Sequence, residues 1–468
     1  MRKSVVVLLS VILVAAFALP AMADTDFSGF IRSKGWMSNY FRNSAGYIVP
    51  TENPPTFSWV ETRARILMKS GSENVKFTYY GEFDQSFGGQ AYQDGRNSGG
   101  GLGADTTNLE TKNVYVWFKV PDTSWDFKVG VQNQNDSYAG TFFGVADMAG
   151  VFTTFKYEPF NFRVGWAKWW ENDLGADDDV NLYIAEAKFA FVKDVKLGLN
   201  FYYLRDAGSN TFGAATGSLG LCPAMPFEST GYDTLQLYMP GIDVVFKAGP
   251  ATISGFFFYQ FGTFEFATAG ASDVDVSGFA GDIRAEVNLG PGIFFLEGLY
   301  VSGDDNHDDD KYDGIITASN YNLGESFFYR TDTNILLPNG DDIHTSQALA
   351  YDVANQGAGL IHVAAGYSQK FNDKVKGKIG VGYLTAAKKR FRDGLRNGSV
   401  QEFAFDTDKG MGIEVNANVN YSIMKGLDLG LYGAYAWLGS AYDKTADGTA
   451  TQDADDPYMV YARLNYGF

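Results

Sequence analysis

The sequence predicts an all-β fold, a transmembrane antiparallel up-and-down β-barrel of about 18 strands, with about 16 strands as the alternative. Apolar and polar residues alternate along most of the chain, as they do in strands with two differently solvated faces. Tight turns and long polar connectors follow one another in strict alternation. Beyond the N-terminal segment no uninterrupted apolar run is long enough for a membrane helix, although 45% of the residues are apolar. The apolar residues are therefore distributed over strands.

The N-terminal segment has the features of a secretory signal peptide. Arg2 and Lys3 precede an apolar run at residues 5–19, and small residues follow at 21–23. Because such a segment is cleaved, we expect residues 1–23 to be the signal peptide and the mature chain to begin at Asp24. Residues 24–468 are then a single barrel domain with long external loops.

The two-residue rhythm is clearest in six segments, at residues 75–83, 125–132, 195–203, 279–288, 411–421 and 427–435. A soluble β-sandwich would show the same alternation, with the apolar face in its core. The connectors favour the barrel instead, because short turns at one end and long loops at the other are typical of transmembrane barrels. Short turns are predicted at residues 70–73, 121–123, 158–159, 192–194, 249–250, 289–292, 372–373 and 424–426.

Two segments are less regular. Between residues 233 and 248 the apolar parity changes at Pro240 and Gly241, which predicts a β-bulge there. In the first strand, residues 27–39, we place Arg32 and Lys34 on the inner face.

The C-terminal residues 457–468 form a strand with one apolar and one polar face that ends in an aromatic residue, Phe468. This pattern resembles the C-terminal signature of bacterial outer-membrane β-barrel proteins. The length and loop pattern of the chain resemble general trimeric porins, and also monomeric substrate-specific channels such as the OprD-like and alginate-export families. The resemblance implies a Gram-negative outer-membrane porin, a water-filled channel for passive diffusion of small hydrophilic solutes or ions. Its surroundings would be outer-membrane lipid and lipopolysaccharide, with a homotrimer left open.

Composition narrows the function further. The net charge of −18 argues against nucleic acid as a partner, and the single Cys222 excludes an intrachain disulfide. With three histidines and no G-x-S-x-G motif, we expect neither an enzyme nor a cofactor. Two alternatives stay open: a substrate-specific channel for an anionic solute, and a non-conducting surface adhesin or structural barrel. A sheath around a multihaem cytochrome would need haem from a partner, since the chain has no C-x-x-C-H motif.

Strand parity also predicts which charged residues line the lumen. If sequential strands are neighbours, most of the bases fall on one arc across the closure and Asp282, Glu286 and Glu297 fall on another. A basic arc would favour anionic solutes. The predicted basic lining is Arg63, Arg65, Lys76, Lys128, Arg163, Lys376, Lys378 and Arg463, and the predicted acidic lining is Glu61, Glu82, Glu186, Asp282, Glu286 and Glu297.

The longest connector, residues 303–356, is predicted to fold into the barrel. Its apolar patches at residues 327–329 and 335–337 need burial. No metal site is predicted, although Asp304, Asp308 and Asp310 at its start are weak divalent-ion candidates. They do not form an EF-hand, because Asp309 stands where that loop requires glycine. The basic loop at residues 386–409 could contact lipid phosphates or narrow the pore.

Overall fold

A computed structural model describes most of the chain beyond the predicted signal peptide. The described residues are 24–40, 50, 52–89, 98–104, 108–208, 232–266, 272–306, 309–322, 325–337, 348–350, 352–355, 357–388, 391–396, 399–404, 409–443 and 454–468. The predicted signal peptide at residues 1–23, Cys222 and Asp308 lie outside these residues. The first strand begins at Asp24, the residue at which the mature chain is expected to start. The signal peptide itself stays a prediction.

Eighteen long antiparallel strands form the barrel, as the sequence predicts. Each strand pairs with its neighbours in the chain, and the last pairs with the first. The strands are β1 (Asp24–Ser38), β2 (Phe57–Gly71), β3 (Val75–Ser86), β4 (Leu109–Lys119), β5 (Trp125–Gln134), β6 (Ala146–Tyr157), β7 (Phe160–Trp170), β8 (Val180–Val192), β9 (Val195–Asp206), β10 (Thr234–Ala248), β11 (Ala251–Glu265), β12 (Val274–Leu289), β13 (Gly292–Val301), β14 (Leu360–Lys370), β15 (Val375–Ala386), β16 (Gly410–Met424), β17 (Leu427–Leu438) and β18 (Tyr458–Gly467).

Smaller elements lie in the long connectors. A two-residue strand, Lys311–Tyr312, runs parallel to the start of β12. A separate hairpin joins Phe391–Arg396 to Ser399–Ala404. Short 3-10 turns lie at Ala318–Asn320 and Ser440–Tyr442. Among the described residues, no helix has the length and apolar character needed to cross a membrane.

The barrel closes where β18 meets β1. Phe30 lies opposite Gly467 and Ser38 lies opposite Met459 in a continuous register. Next to the Phe30–Gly467 pair, the amide of Gly29 donates to the carbonyl of Phe468 at 3.0 Å, and the amide of Phe468 donates to the carbonyl of Gly29 at 3.1 Å. Closure therefore extends to the final residue, and the sheet has no free edge at this seam.

The predicted facing of the strands is confirmed at the seam. On β18 the alternate residues Val460, Leu464 and Tyr466 are exposed on the outside, while Met459 and Tyr461 are buried inside. On β1 the predicted inward position of Lys34 is also confirmed, because it is buried beside the inward Trp36. The outer surface is thus apolar around a closed cylinder, as a lipid environment requires.

The bulge predicted at Pro240 and Gly241 is wrong. Against β9 the pairing of β10 runs unbroken through both residues. Against β11 Met239 and Pro240 are not paired, but the register is the same on both sides of them. Instead, the buried apolar residues in the first half of β10 point inward, while Ile242 and Phe246 in its second half are exposed outside. The alternation of inward and outward side chains is the same along the whole of β10. What changes along the strand is the material inside the barrel that the inward side chains contact. The inward residues are Leu235, Leu237 and Met239.

In the half of the barrel near the long loops, the interior is filled by protein. Two connectors fold inward: the short inner loop, residues 135–145, and the long inner loop, the described parts of residues 302–359. The prediction that the longest connector folds into the barrel is confirmed, because its residues Phe328 and 335–337 are buried. In the short inner loop, Tyr138, Phe142 and Phe143 are buried with them.

A matched pair of substitutions tests the facing of the strands. Leu431 lies outward near the middle of β17, whereas Asn418 of the neighbouring β16 lies inward. We expect Leu431→Arg to lower the free energy of unfolding by about 2 to 4 kcal/mol, because it places a charge in hydrocarbon. Asn418→Arg places the same charge in a polar lumen, so it should cost much less. Equilibrium unfolding in urea, in bilayers of fixed composition, measures both; equal losses would contradict the assigned facing.

Candidate functional site

The short inner loop is held by one buried carboxylate, that of Asp136. It accepts hydrogen bonds from the backbone amides of Tyr138 and Gly140 at 2.8 Å each, of Phe142 at 2.7 Å and of Phe143 at 2.9 Å. Gly140 has φ of +86°, a conformation that favours glycine. Burial raises the pKa of the Asp136 carboxyl to about 6, although the amide hydrogen bonds lower it. One side chain thus organises the loop.

The two inner loops are joined through their backbones. The amide of Phe327 donates to the carbonyl of Gly140 at 3.1 Å, and that of Tyr329 donates to Ala139 at 3.0 Å. The amide of Gly144 donates to the carbonyl of Glu325 at 2.7 Å. Because backbone bonds connect them, the loops form one unit inside the barrel.

Glu414 on β16 holds residues 334–336 of the long inner loop. Its fully buried carboxylate accepts the amides of Asn334 and Ile335 at 2.8 Å each and that of Leu336 at 3.1 Å. The amide side chain of Asn416 donates to it at 2.9 Å. The Glu414 carboxylate thus accepts hydrogen bonds from loop amides that would otherwise be buried without an acceptor.

A cluster of ion pairs fixes the middle of the same loop. Arg330 of the loop pairs with Asp282 of β12 at 2.6 Å. Asp332 of the loop pairs with Arg284 of β12 at 2.6 Å and with Lys378 of β15. Arg284 also pairs with Glu297 of β13 at 2.7 Å. The acidic arc predicted from the sequence is therefore interleaved with bases and serves as an attachment for the loop.

On the other side of the lumen, bases and carboxylates of adjacent strands also pair. Arg63 of β2 donates twice to Asp84 of β3, at 2.7 Å each, and its neighbour Arg65 pairs with Glu82. Arg163 of β7 pairs with Glu186 of β8 at 2.6 Å. A further pair reaches across β9, from Lys188 of β8 to Asp243 of β10.

The two partners of these pairs are not equally exposed. The base is the more exposed partner in most pairs inside the barrel. Glu286, beside Arg284, is an exception with 44% of its side chain exposed. The exposed fractions of base and carboxylate are 23% and 0% for Arg65 and Glu82, 22% and 6% for Arg163 and Glu186, 26% and 0% for Arg330 and Asp282, and 27% and 9% for Lys378 and Asp332.

The remaining predicted lining residues are also on inward positions. Glu61 accepts from the indole nitrogens of Trp36 and Trp59 at 3.2 and 3.3 Å. Arg463 lies over the ring of Tyr432, 4.8 Å from its centroid. Lys128 lies 5.5 Å from the ring centroid of Tyr115, and Lys76 and Lys376 are exposed near the short turns. The structure thus separates the predicted set into paired bases at mid-height and exposed lysines near one end.

Of the three divalent-ion candidates, the two that the structure describes, Asp304 and Asp310, do not form a shared site. Asp304 is buried, and its carboxylate accepts the amides of Asn306 and Asp313 at 2.8 Å each, so it caps a local turn. Asp310 is exposed at the edge of β12, and Asp308 lies outside the described residues. Among the residues the structure describes, the carboxylates near enough to share an ion are Glu171, Asp178 and Asp179, and Lys168 already pairs with two of them.

Sequence reasoning missed several residues of the site. Asp84 continues the inward parity of β3 and could have been found from it. Arg330 and Asp332 follow directly after the apolar patch that predicts the inward fold, but no periodicity marks their side chains in a loop. Their partners Asp282, Arg284 and Lys378 lie on strands distant in sequence, so these ion pairs appear only in the folded structure.

Comparisons with known proteins agree with this architecture. A family described as "Porin subfamily" matches residues 246–460. OccK8 (OprE) of Pseudomonas aeruginosa has TM-score 0.51 and 11% identity over 95% of this chain and 98% of that one. OccK9 (OpdG) of the same organism has TM-score 0.53 and 11% identity, with the same coverage. OccAB4 of Acinetobacter baumannii has TM-score 0.50 and 10% identity over 96% of this chain and all of that one. No curated protein matches in sequence.

The anchoring role of Glu414 can be tested by Glu414→Gln. The glutamine side chain accepts fewer hydrogen bonds than the carboxylate, and its NH₂ group would face the backbone N–H donors of the loop. Each buried loop amide that loses its acceptor destabilises the docked loop by about 1 to 3 kcal/mol. We expect a larger and noisier single-channel conductance in planar bilayers. The control is Asp428→Asn, an inward carboxylate that contacts Ser422 rather than the loop. Unchanged conductance in Glu414→Gln would contradict the anchoring role.

Proposed function

We propose that the chain is a β-barrel porin of the Gram-negative outer membrane and that it passes small hydrophilic solutes with a preference for anions. The channel for small solutes follows from the family match and the fold. The preference for anions is the finer step. It is carried by one observation: in most ion pairs on the inner face, the base is half-buried and the carboxylate is buried, so the base is the more exposed partner.

A solute in the lumen interacts most strongly with the charges nearest to it. A carboxylate behind its base is farther from the solute and is partly cancelled by that base, so the local potential is positive. Low-dielectric walls strengthen such a field compared with open water. The proposed lining of the pathway is Arg65, Arg163, Lys188, Arg330, Lys378 and Arg463.

The wall on which the long inner loop rests supports the same proposal. Asp282 and Glu414 are engaged by the loop, so this wall presents loop rather than carboxylates to the lumen. The bases of β2 lie on another wall, among strands β1 to β3 and β18. A solute would therefore pass between the loop and a wall that carries Arg65 and Arg463.

The proposal includes no catalytic step. His362 is fully buried, and its Nδ1 lies 3.7 Å from Glu297, away from any solute. His307 and His344 lie outside the described residues.

The barrel closes within one chain, so the proposal requires no homotrimer. We further propose that residues 1–23 are removed on export, which leaves Asp24 at the start of β1.

Ion selectivity tests the proposal. In a salt gradient across a planar bilayer, we expect the reversal potential of the purified protein to show anion preference. Lys188→Gln removes one exposed lumenal base and leaves Asp243 unpaired. A unit charge about 8 Å away in water is worth about 0.5 kcal/mol, so the anion-to-cation permeability ratio should fall by about twofold. The difference should shrink near 1 M salt, where the Debye length is about 3 Å.

The matched control is Lys370→Gln. Lys370 also pairs with an aspartate, Asp373 at 2.8 Å, but this pair lies in a short turn outside the lumen. It should leave the permeability ratio unchanged. Cation preference in the parent protein, or equal shifts in both variants, would refute the anion preference. Absence of conductance would refute the channel and favour the adhesin or structural barrel.

A further inference from the structure

His362 is a titratable side chain that the proposed solute pathway does not use. It extends inward from β14 and is fully buried. Its cross-strand neighbours on the same face, Leu299 of β13 and Leu384 of β15, are buried as well. An imidazole in such apolar surroundings is sensitive to its protonation state, because a buried charge costs free energy unless it is paired.

Neither ring nitrogen of His362 has a hydrogen-bond partner among the residues that the structure describes. Nδ1 lies 3.7 Å from Oε1 of Glu297 on β13, just beyond hydrogen-bond distance. That carboxylate oxygen is also buried and also has no hydrogen-bond partner within the described ranges. A proton on Nδ1 would therefore find an acceptor in Glu297 after a small shift of either side chain.

The other ring nitrogen, Nε2, faces the long inner loop. A Cβ atom placed on Gly382 of β15 would meet the Thr333 methyl group and would lie 3.5 Å from Nε2 and 3.7 Å from Leu336 Cδ1. Nε2 thus lies beside the apolar groups with which Thr333 and Leu336 cover this wall. With the loop in place, a proton on each nitrogen would leave the N–H at Nε2 without an acceptor.

The charged groups around the ring are the ones that hold the loop. Glu297 accepts a hydrogen bond from Arg284 at 2.7 Å through its other oxygen, and the same nitrogen of Arg284 donates to Asp332 of the loop at 2.6 Å. A proton on His362 would thus act on a carboxylate that takes part in the attachment of the loop. The charged groups on the elements packed around the ring are Asp282, Arg284 and Glu286 of β12, Glu297 of β13, Lys378 of β15, Glu414 of β16, and Arg330 and Asp332 of the loop.

We propose that His362 makes the long inner loop sensitive to protons: the neutral ring lets residues 330–336 rest on the wall, and the protonated ring releases them and widens the pathway. The protonated ring needs an acceptor at each nitrogen. At Nδ1 it takes Glu297, in competition with Arg284, and so weakens the attachment of Asp332. At Nε2 it finds an acceptor only in water, which reaches the ring when Thr333 and Leu336 move away.

Acid conditions favour the released loop, because only that state gives the charged ring both of its acceptors. Well above pH 6.5, near which a free imidazole titrates, both states hold the neutral ring and docking of the loop has its full stability. As the pH falls below about 6.5, the released state binds one proton more than the docked state, so docking weakens by at most about tenfold per pH unit. Between pH 7.5 and 5.5 the docking equilibrium should thus fall by up to about tenfold.

Hydrogen exchange of the purified full chain in detergent, followed by mass spectrometry, tests the release directly. The amides of residues 334–336 donate to Glu414 while the loop is docked, so their protection reports docking once the intrinsic effect of pH on exchange is divided out. We expect this protection to fall by up to about tenfold from pH 7.5 to 5.5 in the parent protein. In His362→Gln, whose side chain does not titrate, it should be the same at both pH values.

Glu297→Gln is the matched control, because it removes the other titratable group of the pair and keeps the imidazole. It should keep the pH response. His362→Leu is a second variant without a titratable ring and should lose the response as His362→Gln does. Burial raises the pKa of the Asp136 carboxyl to about 6, but its amides belong to the short inner loop and are followed separately in the same measurement.

A parent-like pH response of residues 334–336 in both His362 variants would overturn the proposal, and so would constant protection in the parent protein. Single-channel conductance in planar bilayers tests the widening: it should rise at pH 5.5 in the parent protein and stay constant in His362→Gln. Loss of protection with unchanged conductance would overturn the widening of the pathway. The exchange measurement does not depend on the preference for anions, so the two proposals can fail separately.

Discussion

The structure depends on one constraint: in a bilayer every backbone donor and acceptor must find its partner within the protein. An open sheet would expose two edges to hydrocarbon, so the ladder must close on itself. β18 therefore pairs with β1 along its length, and the hydrogen bonds between Gly29 and Phe468 extend this closure to the last residue. Once the cylinder is closed, side-chain alternation assigns each residue to lipid or to the interior without further choice.

Closure creates a second requirement inside the barrel. The inner loops have irregular backbone, and their amides need acceptors where little water is present. Buried carboxylates supply these acceptors, Asp136 within the short inner loop and Glu414 from the wall. Because each carboxylate serves several amides at once, a small number of side chains positions both loops. The same arrangement ties the width of the pathway to a few residues.

The sequence predicts the barrel well because a period of two is a local signal. It assigns the facing of β18 and identifies Asp282 and Glu297 as inward residues, since both follow from strand parity. It predicts wrongly at Pro240 because parity reports the side of a residue and not the medium on that side. Leu235 and Leu237 look lipid-facing by composition, yet they are buried against loops that arrive from distant parts of the chain. The pairing of Arg330 with Asp282 is likewise invisible in sequence, because loop side chains follow no period.

Net charge and lumenal potential are separate properties, and the proposed preference for anions rests on their separation in this chain. Its total charge is −18, which by itself would favour cations. Potential at the pathway depends instead on which member of each ion pair lies nearer to the solute. Arginine and lysine have longer side chains than aspartate and glutamate, so when both grow from the same wall the base extends farther into the lumen. In the pairs whose two members grow from the same wall, such as Arg65 with Glu82 and Arg163 with Glu186, side-chain length thus places the positive end farther inward. An acidic protein can in this way line its channel with cations without any excess of bases.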